Sequence, residues 1–292
     1  AVGRAAAAAR RRMNDPVTGD VLVVIGTGGM GTAIARRCGS GQRVVVADVG
    51  DDALDLAAGA LQTEGHDVTA RHVDVTDRAS VEELAATAAS LGPVRAVAHT
   101  AGVSPVQGPA DLVLAVDLVG AAHVLDVFAD VVAPGGAGVV ISSMAGHLVP
   151  PLAADVEAAI VAAPAGELAS LAAAREAAVD PGIAYAFAKA ALAVRVRAAA
   201  TAWGRAGARV NSISPGVIAT PMGHMELAGA SGNFMRQMVD SSATGRLGTP
   251  DDIASAAEFL LSSRASFVTG TDLLVDGGAV AAVRSGRVGV SE

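Results

Sequence analysis

Seven short valine-rich runs alternate with alanine-rich stretches of helical length between residues 21 and 280. Most of the runs are apolar nearly throughout, as expected for strands that are buried on both faces of a parallel sheet. The predicted strands are Val21–Ile25, Arg43–Ala47, Val68–Val73, Val94–Thr100, Gly138–Ser142, Arg209–Ile213 and Asp272–Val275. Helices are predicted at about 29–38, 52–64, 78–90, 114–132, 183–203 and 250–262. This alternation predicts right-handed βαβ units and an α/β fold with a doubly wound parallel sheet.

The domain organisation follows from the range over which predicted strands and helices alternate. No linker rich in proline, serine or charge interrupts residues 21–280, so they are predicted to form a single domain of the Rossmann type. Residues 151–180 carry no strand signal and are predicted to form a helical insert of two short helices split at Pro164–Gly166. Residues 1–20 are predicted to be a flexible N-terminal tail, with a targeting peptide or an extension before Met13 as alternatives. Residues 281–292 are predicted to be a C-terminal tail.

Charge and composition exclude several classes of function. The net charge of −8 argues against nucleic acid, whose phosphates require a basic face. The only cysteine is Cys38, so an internal disulfide is impossible and a reducing, cytoplasmic setting is expected. The histidines are scattered, which predicts no metal site. No apolar run of about 18 residues is free of glycine, proline and charge, so no membrane span is expected.

A glycine-rich segment after the first strand indicates a dinucleotide site. It satisfies the GxGxxG pattern through Gly26, Gly28 and Gly31 and opens a helix, whose N-terminus would face a pyrophosphate. Asp48 ends the second strand, where a carboxylate accepts hydrogen bonds from both ribose hydroxyls of NAD and repels a 2′-phosphate. The residues between 26 and 31 include no lysine or arginine to compensate. The predicted cofactor is therefore NAD, with NADP less favoured.

The pair Tyr185 and Lys189 opens the long helix at 183–203. The i, i+4 spacing places both side chains on one helical face, where an ammonium group favours the phenolate and lowers the tyrosine pKa. A tyrosine with a lowered pKa is a usable general acid or base. Tyr185 is the only tyrosine of the chain and Lys189 the only lysine, so this spacing is a much stronger signal than the pattern alone.

Other candidate residues follow the carboxyl ends of predicted strands, where ligands bind parallel sheets. Ser143 ends the fifth strand, and its hydroxyl is expected to bond a substrate oxygen, with Ser142 as the rival. Asp74 is predicted either to contact the adenine edge or to cap a turn. The segment after the sixth strand is predicted to bind the nicotinamide carboxamide. The full cofactor-binding set comprises Gly26, Gly28, Gly29, Met30, Gly31, Asp48, Asp74, Val75, Ala101, Gly102, Tyr185, Lys189, Pro215, Gly216, Ile218 and Thr220.

Together these segments resemble the short-chain dehydrogenase/reductase family over about residues 21–280. The resemblance is carried by IGTGGMG, ADV, HVDVTD, HTAG, ISSMAG, YAFAK, RVNSISPGVIATPM and VTGTDLLVDGG. It implies that Ser143 positions a carbonyl and that Tyr185 transfers a proton. It also implies that Lys189 lowers the tyrosine pKa and binds the nicotinamide ribose, while hydride passes between the nicotinamide C4 and the substrate carbon.

The chain departs from the family pattern in four places. The glycine loop is one residue shorter, the usual NNAG reads His99-Thr-Ala-Gly102, and the helix asparagine of the proton relay falls at Asp117. We include Asp117 among the candidate catalytic residues; the alternative is that it only caps or kinks its helix. The stretch between Ser143 and Tyr185 is longer than usual and lies where the bacterial 3α-hydroxysteroid dehydrogenase/carbonyl reductase subgroup has an insertion. This similarity implies a bulky alicyclic ketone or carbinol as substrate.

The sequence thus predicts an NAD(H)-dependent oxidoreductase that interconverts a secondary alcohol and a ketone, with Tyr185 as acid or base. It is expected to be a homodimer or homotetramer. Two alternatives stay open: an NADPH-dependent biosynthetic ketoreductase and a dinucleotide-sensing protein without turnover. Because the insert lies between Ser143 and Tyr185, we expect it to cap the substrate site and to restrict the packing of helices 114–132 and 183–203 between subunits.

Overall fold

A computed structural model describes residues 19–288 and contains one seven-stranded parallel sheet. The strands are β1 (Val21–Ile25), β2 (Arg43–Asp48), β3 (Asp67–His72), β4 (Val94–His99), β5 (Val132–Ile141), β6 (Arg209–Pro215) and β7 (Asp272–Val275). Their order in the sheet is β3-β2-β1-β4-β5-β6-β7. The order reverses between β1 and β4, and ligands bind at such a switch point at the carboxyl ends of the strands. The predicted α/β fold is confirmed.

Helices cover both faces of the sheet. They are α1 (Gly29–Cys38), α2 (Asp51–Thr63), α3 (Arg78–Leu91), α4 (Ala110–Leu114), α5 (Ala121–Ala129), α6 (Ala145–Leu148), α7 (Ala154–Ala162), α8 (Ala172–Ala177), α9 (Pro181–Arg205), α10 (Pro221–Ala228), α11 (Gly232–Ser241), α12 (Pro250–Leu261) and α13 (Ala279–Arg284). A π-helical segment, Ala115–Gly120, joins α4 to α5, and 3₁₀ turns form at Ala165–Ser170 and Ser263–Ala265. Strand β1 shows why both faces are covered: Val23 packs into the core on one face and Val24 into the core on the other.

The two tails predicted at the ends of the chain fall at or beyond the ends of the described region, residues 19–288. The predicted N-terminal tail, apart from Gly19 and Asp20, lies outside them. The C-terminal boundary at 280 falls inside α13, and Val280, Ala282 and Val288 are buried against Met144 and neighbouring apolar residues. The fold therefore continues to at least Val288, because the apolar run after Gly277 and Gly278 forms a helix that packs on the domain.

The continuous helical stretch Ala110–Ala129 is long and apolar enough to span a membrane by composition alone. Of its most apolar window, 72% is buried inside the protein. Its side chains pack against the sheet on one side, through Leu125 and Phe128, and against the insert on the other, through Val113 and Leu118. A core helix of an α/β domain has this composition for the same physical reason as a membrane span, since both are surrounded by apolar groups.

The helical insert packs on the outer face of α9 and on the π-helical segment. Ile160, Leu168 and Ala174 are fully buried there against α9 residues such as Ala184 and Ala191. The buried Arg195 of α9 donates hydrogen bonds to the Ile160 and Ala163 carbonyls, which fixes the end of α7. The insert therefore covers apolar faces of helices 114–132 and 183–203, and the restriction on subunit packing stays a prediction.

We expect Leu168→Ala to lower the free energy of unfolding by about 2–5 kcal/mol, the range for truncating a fully buried leucine. Leu168 is 0% exposed and joins the insert to the core beneath it. Leu56→Ala is the matched control, because Leu56 is 77% exposed. Chemical denaturation of both variants measures the difference. Equal stabilities would mean that the insert contributes no packing energy to the domain.

Candidate functional site

The glycine loop between β1 and α1 has the geometry that a pyrophosphate site requires. Gly26 adopts φ +97°, and a Cβ there would lie 2.4 Å from the Ala101 backbone nitrogen. A Cβ on Gly31 would lie 1.9 Å from the Gly26 carbonyl oxygen, so only glycine lets α1 approach the strand. By contrast, a Cβ on Gly28, the N-cap of α1, would meet no atom within 4 Å. The open space at Gly28 faces an uncapped helix N-terminus, so the residues present fit a bound dinucleotide.

Asp48 lies at the end of β2 and faces the glycine loop. Its Oδ2 accepts hydrogen bonds from the Thr27 backbone nitrogen at 2.6 Å and from Thr27 Oγ1 at 2.9 Å. Its Oδ1 accepts one from the Gly50 nitrogen at 3.0 Å. An ionised carboxylate has about four acceptor positions, so both oxygens retain capacity for ribose hydroxyls. Thr27 is thus a positioning residue that sequence reasoning missed, although it lies inside the GxGxxG segment.

The other predicted cofactor residues lie along the same edge of the sheet. Asp74 Oδ1 accepts from the Thr76 nitrogen and hydroxyl, so the structure shows the turn-capping alternative. Val75 is buried and its carbonyl contacts His123 Nδ1 at 3.1 Å. Four predicted residues at the end of β6 and after it line a cavity together with Met30 of α1 and Tyr185: Pro215, Gly216, Ile218 and Thr220. A Cβ on Gly29 would lie 3.0 Å from Thr220 Cγ2, so the two loops meet.

The cavity at this edge has a volume of about 370 Å³ and is lined by Ser142, Ser143 and Tyr185. Ser142 Oγ donates a hydrogen bond to the Lys189 carbonyl at 3.0 Å and is therefore already engaged. Ser143 Oγ accepts a bond from the Ala145 nitrogen at 3.1 Å, and its hydroxyl also interacts with the Tyr185 phenol, whose pKa this contact lowers. This geometry favours Ser143 over Ser142 as the residue that contacts a substrate oxygen.

Lys189 and Tyr185 lie together on α9, as their spacing predicts. The Lys189 Nζ is 5.4 Å from the centroid of the Tyr185 ring. It donates hydrogen bonds to Asp117 Oδ1 at 2.9 Å and to the Ile141 carbonyl at 3.3 Å. The Lys189 side chain is 4% exposed and that of Asp117 0%, so this is a buried ion pair.

Asp117 reaches Lys189 because it lies in the π-helical segment between α4 and α5. Such a segment adds a residue to one helical turn, and these bulges are frequent at functional sites. Asp117 Oδ2 also lies 3.4 Å from the Val103 nitrogen, and a Cβ on Gly102 would lie 2.6 Å from Oδ1. Gly102 therefore has to be a glycine for the carboxylate to fit against the loop after β4.

The pKa directions reflect this buried cluster. Burial raises the pKa of Tyr185; the Lys189 ammonium lowers it in part, and Asp117 raises it again. The expectation of a net lowering of the Tyr185 pKa is therefore wrong for this structure, because burial of the phenol outweighs the effect of the Lys189 ammonium and the Asp117 charge adds to the effect of burial. Burial lowers the pKa of Lys189, but the charges of Asp117 and Tyr185 raise it overall. Lys189 consequently remains an ammonium group.

His99, which replaces the first asparagine of the family pattern, ends β4 and is 1% exposed. Neither ring nitrogen has a hydrogen-bond partner among the described residues. Burial, followed by the charge of Lys189, lowers the pKa of His99 to about 3. The ring is therefore neutral. His99 is not among the residues that line the cavity, unlike Ser143 and Tyr185.

Helices α10 and α11 form the outer wall of the cavity. They contribute Met222, Glu226, Phe234, Met235 and Met238. None of the residues that line the cavity belongs to the insert, so the insert does not form a wall of it. The insert packs in the same apolar core as Tyr185, which lines the cavity, and its role as a cap beside the substrate site stays a prediction. The insert's apolar residues instead bury themselves against the exposed faces of α9 and the π-helical segment. Sequence reasoning also missed Glu226; its only signal is an acidic residue in a mainly apolar stretch.

Comparison with known proteins agrees with this geometry. The short chain dehydrogenase family model matches residues 20–159, and that of Enoyl-(Acyl carrier protein) reductase matches residues 156–280. The chain is 40% identical to the short-chain dehydrogenase/reductase bsc3 of Alternaria brassicicola, over 89% of this chain and 95% of that protein. It is 38% identical to the 3-alpha-hydroxysteroid dehydrogenase/carbonyl reductase of Comamonas testosteroni, over 63% of this chain and 72% of that protein.

Among solved structures, a 7α-hydroxysteroid dehydrogenase complexed with NADH and 7-oxo glycochenodeoxycholic acid superposes with a TM-score of 0.71. The two are 27% identical, over 89% of this chain and 94% of that one. The chain therefore belongs to the short-chain dehydrogenase/reductase family of oxidoreductases.

Proposed function

We propose that this protein is an NAD(H)-dependent oxidoreductase that interconverts a secondary alcohol and a ketone, with Tyr185 as the proton-transfer residue. One observation carries the proposal: Ser143 and Tyr185 line a single cavity together with residues of the proposed dinucleotide-binding segments. Those residues are Met30, Ile218 and Thr220. A substrate there would lie beside both the proton-transferring hydroxyl and the end of the cofactor that accepts hydride.

The roles of the residues follow from their contacts. In alcohol oxidation the Tyr185 phenolate takes the hydroxyl proton, and in ketone reduction the phenol returns it. The Ser143 hydroxyl, which lies beside the Tyr185 phenol, bonds the substrate oxygen and holds it near Tyr185. Lys189, fixed by Asp117 and the Ile141 carbonyl, supplies the positive charge that stabilises the phenolate. The nicotinamide, when bound, supplies the hydride acceptor or donor.

The choice of NAD rests on Asp48. Its carboxylate is fixed by Thr27 and Gly50, and it ends β2 where a ribose would lie. We therefore expect NAD(H) to bind at least ~10-fold more tightly than NADP(H), a difference of about 1.4 kcal/mol, because Asp48 repels a 2′-phosphate. Fluorescence titration with both cofactors measures the ratio. Equal affinities, or a preference for NADP(H), would contradict the assignment.

Asp48→Ala should reduce the difference in affinity between NAD(H) and NADP(H). The substitution also releases Thr27, so both affinities are expected to fall, and the ratio between them is the informative quantity. Asp52→Ala removes an exposed carboxylate from the first turn of α2 and serves as the matched control for general charge. If both variants changed the ratio equally, discrimination would depend on net charge rather than on Asp48.

The principal alternative is a dinucleotide-sensing protein without turnover, for which Asp117 in place of asparagine is the best support. The intact arrangement of Ser143, Tyr185 and Lys189 favours an enzyme. Consumption of NADH in the presence of a panel of alicyclic ketones separates the two. Assembly as a homodimer or homotetramer is proposed from the family resemblance, with subunit contacts away from the faces that the insert covers.

A further inference from the structure

The substrate cavity has one charged group that the proposed reaction does not use. Its outer wall is mainly apolar and is formed by side chains such as Val106, Leu148, Met222, Phe234 and Met238. Glu226 of α10 lies within this wall. Among the described residues that line the cavity, it is the only aspartate, glutamate, lysine, arginine or histidine.

Within residues 19–288, the Glu226 carboxylate makes no hydrogen bond or ion pair, although the residue is half-buried; its backbone carbonyl accepts a hydrogen bond from the Gly229 nitrogen at 3.0 Å. Other half-buried carboxylates of the fold are engaged: Asp48 binds Thr27, and Asp272 binds His147 and Ser214. A carboxylate that faces a cavity without a protein partner can accept a hydrogen bond from a ligand there. The surrounding apolar side chains offer no hydrogen bond of this kind.

The Lys189 ammonium, whose charge acts on Glu226, does not supply the missing charge. Lys189 is already paired with Asp117 at 2.9 Å, so the cluster of Asp117, Lys189 and Glu226 carries a net negative charge. Burial raises the pKa of Glu226; the Lys189 charge lowers it, and the Asp117 charge raises it again. The cavity thus combines an apolar wall with one carboxylate whose negative charge has no partner in the protein.

We propose that Glu226 is a substrate subsite that binds an ammonium group, so that the substrate is an amino alcohol or amino ketone with an apolar ring between the two functions. The ring would fill the space lined by the methionines, which adapt to irregular shapes. A neutral hydroxyl also donates a hydrogen bond, but only a cation cancels the charge of the site. A carboxylate-bearing substrate would be repelled.

This inference rests on the proposed function, and it is tested by ratios that do not depend on the overall rate. The probes are 3- and 4-aminocyclohexanol, the corresponding methylcyclohexanols, and the corresponding hydroxycyclohexanecarboxylates. With NAD at pH 8, we expect kcat/KM for one of the amines to exceed that of its methyl counterpart by about tenfold or more, since a charge-assisted hydrogen bond is worth about 1.5–3 kcal/mol. The carboxylate should be the poorest of each set.

Two variants assign that preference to Glu226. Glu226→Gln should reduce the ratio of kcat/KM for the amine to kcat/KM for its methyl counterpart to near unity. Glu226→Lys should make the carboxylate the preferred probe and the amine the poorest. Glu167→Gln, a change at an exposed glutamate of the insert, is the matched control and should preserve the ratio. Thermal unfolding of each variant verifies that it is folded.

Calorimetric binding of the same probes to the NAD-bound protein distinguishes failure of this inference from failure of the proposed function. Amine-selective binding that Glu226→Gln abolishes would support the subsite even if no probe were oxidised. Turnover without any preference for the amine would overturn it. An equal effect of Glu226→Gln on amine and methyl probes would also overturn it, because the carboxylate would then act on the cofactor or on Tyr185 rather than on the substrate.

Discussion

Tyr185→Phe should lower the rate of alcohol oxidation by about 100-fold or more, the contribution expected of a positioned general base. The change removes only the hydroxyl that exchanges a proton with the substrate. The ring remains packed beside Phe187 and the insert residues of the same core, so the fold is retained. The affinity for NAD(H) should change little, because the glycine loop and Asp48 are untouched. Steady-state rates and a fluorescence titration measure the two effects.

The control for this experiment is Ser142→Ala. Ser142 lines the same cavity, but its hydroxyl is engaged with the Lys189 carbonyl, so its loss should cost less than that of the Tyr185 hydroxyl. A Tyr185→Phe variant that kept more than about a tenth of the wild-type rate would remove Tyr185 from the acid–base role. A large loss of NAD(H) affinity would instead indicate that the phenol mainly orders the cofactor site.

The sheet was predictable because its signals are local. Five apolar residues in Val21–Ile25 are all buried, as a central parallel strand requires, and the glycines that follow are needed at close backbone contacts. The Tyr185–Lys189 pair was equally predictable, since i, i+4 spacing fixes a shared helical face. These features need no knowledge of distant parts of the chain.

Other features depend on packing between segments far apart in sequence. Whether the insert covers the cavity or the outer face of α9 depends on where Leu168 finds an apolar partner, and the sequence pattern gives only the apolar face. The π-helical turn at Ala115–Gly120 has no distinctive residue pattern, yet it brings Asp117 to Lys189. Helices α10 and α11 lie in a stretch for which the sequence analysis predicted no helix, so Glu226 had no predicted neighbour.

The buried pair of Asp117 and Lys189 also changes what the lysine does to Tyr185. A lone ammonium at 5.4 Å from the ring would favour the phenolate. Here burial raises the Tyr185 pKa, Lys189 opposes that effect, and the Asp117 charge cancels part of the opposition. Because alcohol oxidation requires the phenolate as base, the rate should rise with pH through the raised Tyr185 pKa. The wild-type optimum is therefore expected to lie toward alkaline pH.

Asp117→Asn removes the negative charge while keeping an oxygen that can accept from Lys189 Nζ. The Tyr185 pKa should then fall, and the pH–rate profile should move to lower pH, because the Asp117 charge is one of the causes that raise that pKa. Asp126→Asn is the matched control, because Asp126 lies on α5 and pairs with Arg195 rather than Lys189. Profiles of alcohol oxidation from neutral to strongly alkaline pH measure the shift. If wild type and Asp117→Asn superimposed while stability fell, Asp117 would only hold the π-helical turn and Lys189 in place. A shift toward higher pH would contradict this prediction and would indicate that, without the Asp117 charge, the buried Lys189 loses its proton and no longer stabilises the phenolate.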